Sequence, residues 1–152
     1  MTLDAIQNPI VCATRGGEGS LAVQSAAIKR AKQEKKPLVF LFVTDPLSVS
    51  DYAEGLAEAV ELELNWMGET MLRLAQRRAD DEDVLSEVRV RQGEVKEEIS
   101  RFLQESNATL LLLGAPRGTT ANVFGDDAVE RFAIHVQEKA KIPVEIIRPE
   151  LA

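Results

Sequence analysis

Leu38–Val43 reads LVFLFV, an apolar run with no polar interruption. A strand with one wet face alternates apolar and polar residues. A strand covered by helices on both faces carries apolar residues throughout. Thr109–Leu113 (TLLLL) repeats that signature further along the chain. Two such runs call for a parallel sheet sandwiched between helices, and the segments around them supply the remaining elements.

Upstream, Pro9–Thr14 (PIVCAT) reads as a short strand entering a tight turn at Arg15-Gly16-Gly17. Glu18 to about Lys35 has a helical period, with Leu21, Ser25, Ile28 and Ala31 on one face. Asp51 to about Arg78 is the longest helical pattern, with Leu56, Val60, Leu64, Met67, Met71 and Leu74 on one stripe. Leu62, Trp66 and Ala59 stand off that stripe. A wide buried arc is the reading taken; an exposed patch for a partner is the alternative. Val84–Arg91 (VLSEVRVR) places charges between Val88 and Val90, a strand with one more exposed face. After Gly93, Glu94–Glu105 is a helix presenting Val95, Ile99, Phe102 and Leu103. Asp126 or Asp127 caps a last helix carrying Val129, Phe132, Val136 and Ala140, and Ile142–Ile147 closes the chain as a strand.

The order βαβαβαβαβ predicts an α/β fold with a doubly wound five-stranded parallel sheet. Pro143 inside the last strand marks it as an edge strand, where a missing N–H is tolerated best. No repeat or linker divides residues 1–152, so the chain reads as one domain.

Composition narrows the function. The net charge is −7, which disfavours a broad surface for nucleic acid or anionic membrane. Cys12 is the sole cysteine, so there is no internal disulfide and no cysteine-rich metal site. Within a strand, it is expected to be a buried, inert thiol. His135 is the sole histidine and reads as a helix-surface residue. Nothing brings it to Ser20 or Ser25, and no catalytic triad or paired-carboxylate site is recognised. The N-terminus lacks the pattern of a signal peptide, and no apolar run approaches the roughly 20 residues of a membrane span. The expectation is a cytoplasmic protein with no dedicated catalytic activity.

Ligands on such sheets bind beyond the carboxyl ends of the strands, where strand order reverses. Here those ends are Ala13–Ser20, Val43–Ser50 and Gly114–Asp127. The Gly-containing turn TRGGEGS, the strand LFVTDP, and TLLLLG followed by Pro116-Arg117-Gly118, Glu130-Arg131 and Ile142-Pro143-Val144 resemble the universal stress protein family. The resemblance covers nearly the whole chain. It implies a Rossmann-like sheet of order 3-2-1-4-5 and homodimers that pair their last strands, here through Val144, Ile146 and Ile147. Many members of that family bind ATP, and a distinct subset do not.

The resemblance places a candidate nucleotide site at Ala13, Thr14, Arg15, Gly16, Gly17, Val43, Gly114, Arg117, Gly118, Gly125 and Asp126, for ATP or AMP. The family's binders carry Gly-x2-Gly-x9-Gly-Ser/Thr after the fourth strand; this chain has Gly-x3-Gly-x6-Gly-Asp at Gly114, Gly118, Gly125 and Asp126. Arg15 also stands where the binders have an Asp. In one reading Asp126 and Asp127 only cap a helix, and the glycines only shape a turn. In the other, Arg15 with the amides of Gly16 and Gly17 holds phosphate at a helix start, faced by Arg117. The first reading leaves a dimeric interaction module without nucleotide. Arg15-Gly16-Gly17-Glu18-Gly19-Ser20 is also similar to the Ser-Gly-Gly-x-Asp-Ser loop of ATP pyrophosphatases, but Arg15 replaces its Ser and Gly19 its Asp.

Overall fold

A computed structural model describes residues 6–13, 18–44, 54–114 and 127–147. The elements run β1 (Ile10–Ala13), α1 (Glu18–Glu34), β2 (Leu38–Thr44), α2 (Glu54–Asp81), β3 (Ser86–Gln92), α3 (Val95–Ser106), β4 (Leu110–Gly114), α4 (Asp127–Ala140) and β5 (Val144–Ile147). The five strands are parallel in the order β3-β2-β1-β4-β5, as predicted. Ile10 pairs with Leu38 on one side and Leu110 on the other, so the two uninterrupted apolar runs flank β1 at the centre.

Strand alternation divides the core into two layers. Val11, Val39, Leu41, Leu111 and Leu113 pack beneath Ile99, Phe102 and Leu103 of α3 and Val136 of α4. Ile10, Cys12, Leu38, Phe40 and Leu112 face Val23, Ala27 and Ile28 of α1 and Leu72, Ala75 and Ala79 of α2. Fully burying one Leu or Phe contributes about 1.5–3 kcal/mol. Both layers are therefore needed to offset the entropy of ordering the chain.

α3 shows the local rules most directly. The Glu94 carboxylate accepts the Glu97 N–H at 2.8 Å as the N-cap. Asn107 ends the helix in the left-handed region at φ 54°, and the Ala108 N–H reaches the Leu103 carbonyl at 3.0 Å. Of the face the sequence predicts, Ile99, Phe102 and Leu103 are buried and Val95 is half-buried against the core, and Ser100, not predicted, is buried with them.

The other elements bring corrections. On α1, Leu21 is 59% exposed and Ser25 is exposed; the buried face is Val23, Gln24, Ala27, Ile28 and Ala31. On α2, Leu74 is 57% exposed and the buried face is Gly68, Leu72, Ala75 and Ala79. At Gly68 the approach is close, since a Cβ there would collide with the Phe42 ring, and Leu72, Ala75 and Ala79 pack on the same face. Leu62 and Trp66 are 69% and 65% exposed, which overturns the wide buried arc. Val84 and Leu85 precede β3, and Leu85 is exposed. Pro143 sits just before β5, where its carbonyl accepts the Leu111 N–H at 3.1 Å. β5 is nonetheless an edge strand, as expected, and β3 is the other edge.

Candidate functional site

Strand order reverses between β1 and β4: the chain winds from β1 to β2 and β3 on one side, and occupies β4 and β5 on the other. The carboxyl ends at that switch point are Ala13 and Gly114, with Val43 and Thr44 ending the neighbouring β2. Ala13 is buried and paired across from Leu113, Val43 is half-buried, and Gly114 is exposed. The Ala13 methyl packs into the core layer under α3 and α4, and Gly114 ends β4 without a side chain. Ala13, Val43 and Gly114 are thus brought to one end of the sheet. Thr14, Arg15, Gly16, Gly17, Arg117, Gly118, Gly125 and Asp126 lie outside the described residues.

Thr44 is a residue the sequence reading passed over, because it took the apolar run to end at Val43. It is buried, its hydroxyl donates to the Arg91 carbonyl at 3.4 Å, and its own carbonyl accepts the Gly93 N–H at 2.9 Å. These bonds tie the ends of β2 and β3 together. Gly93 has φ 151°, and a Cβ there would meet Glu98 Cγ at 2.6 Å, so the chain turns here only with glycine. The signal for Thr44 was the strand's continuation by a β-branched residue.

Arg91, near the same end of β3, is committed to structure. Its guanidinium grips the Glu105 carboxylate at 2.7 and 3.2 Å, lies 3.7 Å from Glu98 and sits 5.0 Å over the Phe102 ring. The hydrogen bond raises the arginine pKa and lowers that of Glu105. Between α3 and α4, Lys139 pairs with Glu97 and lowers its pKa in the same way.

The other singled-out residues take no part. Cys12 is buried, and burial pushes its thiol up to about 12 against the opposing charge of Arg78. His135 is exposed on α4. Among the described residues, no group of three or more His, Cys, Asp or Glu is arranged to hold a metal ion. An open cavity of about 630 Å³ lined by Lys32, Lys35, Lys36, Glu82, Asp83 and Leu85 lies at the opposite, amino-terminal end of the strands. Lys32 and Glu82 pair across it at 2.9 Å.

The universal stress protein family model matches residues 8–148. The chain belongs to the universal stress protein family. Solved structures share its fold. A universal stress family protein from Burkholderia pseudomallei is 21% identical, with a TM-score of 0.70 over 92% of this chain and 96% of that one. A universal stress protein from Archaeoglobus fulgidus in complex with dAMP is 22% identical, with a TM-score of 0.60 over 93% and 98%. A universal stress protein in complex with cAMP is 20% identical, with a TM-score of 0.64 over 92% and 96%. No curated protein is significantly similar to the chain. Among the described residues, no helix is long and apolar enough to cross a membrane.

Proposed function

We propose that the chain acts as one stress-response domain over residues 1–152 and binds an adenine nucleotide, ATP or AMP, at the carboxyl ends of β1, β2 and β4. The observation that carries this reading is the switch point itself, where the carboxyl ends of the two central strands, Ala13 and Gly114, lie side by side with Val43 at the end of the neighbouring β2. Two family structures of the same fold hold dAMP and cAMP, which supports the ligand class. In this reading Val43 lies against the base, while Thr14, Arg15, Gly16 and Gly17 meet phosphate, with Arg117, Gly118, Gly125 and Asp126 across the crevice. Arg15 takes the part that a hydroxyl donor has in the family's binders, because Asp126 repels phosphate where Ser or Thr would donate. Binding rather than catalysis is the task.

The test is nucleotide analysis of the heat-denatured purified protein, joined to thermal-shift titrations with ATP and AMP. A ligand at ~100 times its Kd stabilises by about 2.7 kcal/mol, readily seen as a rise in Tm. Arg15→Ala is expected to abolish the phosphate-dependent part of the shift. Neither released nucleotide nor a shift at millimolar ligand overturns the reading. It then leaves the second one, an interaction module without nucleotide, which the Gly-x3-Gly-x6-Gly-Asp spacing favours.

We also propose a homodimer through β5. Among the described strands, β5 is hydrogen-bonded to β4 alone, and Val144, Ile146 and Ile147 are half-buried on it. An unpaired apolar edge is a ready template for a second copy. The expected mass in solution is that of two chains.

A further inference from the structure

The open cavity of about 630 Å³ lies at the start of β2 and β3, away from the switch point and from β5. Small-ligand pockets run to roughly 300–1,000 Å³, so its size suits a ligand. Two helix ends form its walls, and each brings one sign of charge. Lys32, Lys35 and Lys36 come from the end of α1, and Glu82 and Asp83 from the end of α2. Pro37, Val84 and Leu85 add apolar surface, and the Leu85 side chain is 60% exposed although its carbonyl is bonded to the Leu38 N–H.

Helix capping explains only part of this arrangement. A lysine in the last turn complements the helix dipole, which accounts for Lys32. The same dipole disfavours carboxylates beyond α2, yet Asp80, Asp81, Glu82 and Asp83 follow one another there. Lys32 donates to Glu82 at 2.9 Å, and Asp83 also favours the Lys32 charge. Glu34 is taken by Arg30. Among the described residues, Lys35, Lys36 and Asp83 form no ion pair. Two cations and one carboxylate thus line the cavity too far apart to satisfy one another.

We propose that this cavity binds a short peptide with free termini. The peptide carboxylate meets Lys35 and Lys36, its ammonium meets Asp83, and an apolar side chain lies on Leu85. A single amino acid carries both charges on one Cα, whereas three extended residues spread them over about 10 Å. Gln7, on the same cavity, has a side-chain amide that can both donate to and accept from a peptide group. The site is at the end of the sheet opposite the nucleotide reading, so each stands or falls without the other.

The probe is the tripeptide Ala-Leu-Ala, titrated into the full chain by calorimetry alongside its N-acetylated and C-amidated forms. The free tripeptide is expected to bind, and each blocked form to bind about tenfold more weakly, as loss of one charge-assisted contact does. Asp83→Asn is expected to weaken the free tripeptide by a similar factor and to leave the acetylated form unchanged. Lys35→Asn together with Lys36→Gln is expected to do the same with respect to the amidated form. Asp83 and Lys35 have φ of 61° and 55°, which asparagine tolerates well, and circular dichroism checks that each variant is folded. No heat at millimolar tripeptide overturns the proposal. Equal binding of free and blocked forms, or binding indifferent to these variants, overturns it too. Competitive displacement by ATP or AMP puts the peptide at the other end of the sheet and overturns this site.

Discussion

The two edges of the sheet, β3 and β5, pose the same physical problem and answer it differently. Each presents backbone donors and acceptors along one side that no described strand of this chain pairs. β3 carries Glu87, Arg89 and Arg91 on one face, with Glu87 and Arg89 paired at 2.7 Å and Arg91 held by Glu105. Its other face, Val88 and Val90, packs toward α1 and α2. Charge along an edge discourages another strand from adding to it. β5 has Val144 and Ile146 toward α3 and α4 and Ile147 toward α1, with only Glu145 charged and tied to Arg30 at 2.6 Å. One edge carries charge that works against a further strand, and the other carries little, which is why the proposed dimer pairs there.

The largest expected effect comes from breaking the open edge. Ile146→Lys gives β5 the device that guards β3, and sedimentation is expected to show the β5 pairing lost. A thermal melt separates this from unfolding, since Ile146 also packs against the α3–α4 layer. Next, removing the guard from β3 with Glu87→Val and Arg89→Val together is expected to make the protein self-associate on warming, measured by light scattering, while the wild type stays clear.

A smaller effect tests how Arg91 holds its edge. Arg91→Ala is expected to lower stability in urea by about 1 kcal/mol, since the pair is partly in water and solvent screens it. The Glu105 carboxylate has its pKa lowered in the fold from its ordinary 4.5. Its contribution is therefore complete above pH 4.5 and drains away below it as the folded carboxyl takes up a proton. In Arg91→Ala that part of the acid-side loss is expected to vanish from urea titrations taken across the same pH range. The smallest effect belongs to the β5 edge: Arg30→Ala, which frees Glu145, is expected to cost about 0.5 kcal/mol in the same assay.

Much of this fold was legible in the sequence. The uninterrupted runs at Leu38–Val43 and Thr109–Leu113 located the central strands, and the charges between Val88 and Val90 announced a strand with a more exposed face. α3 was read correctly because Val95, Ile99, Phe102 and Leu103 are segregated to one side and its caps are local. The faces of α1 and α2 were not. Their apolar residues are spread round the helix, so several stripes compete, and Leu21 and Leu74 fell on the wrong one. The site was legible only at its frame: a strand end is set by the sheet, so Ala13, Val43 and Gly114 follow from strand positions. The spacing of a loop does not determine its path, and Arg15 and Arg117 stay with the proposal.

The sequence by itself determined the parallel five-stranded α/β fold, since continuous apolar runs report strands covered on both faces wherever they lie in the chain. Only the tertiary structure decided which side of each long helix meets the sheet. At Gly68 the helix backbone lies against the Phe42 ring with no room for a side chain between them, and such a contact belongs to two elements at once. The same choice turned Leu62 and Trp66 outward, because they lie across the helix from Gly68 and Leu72.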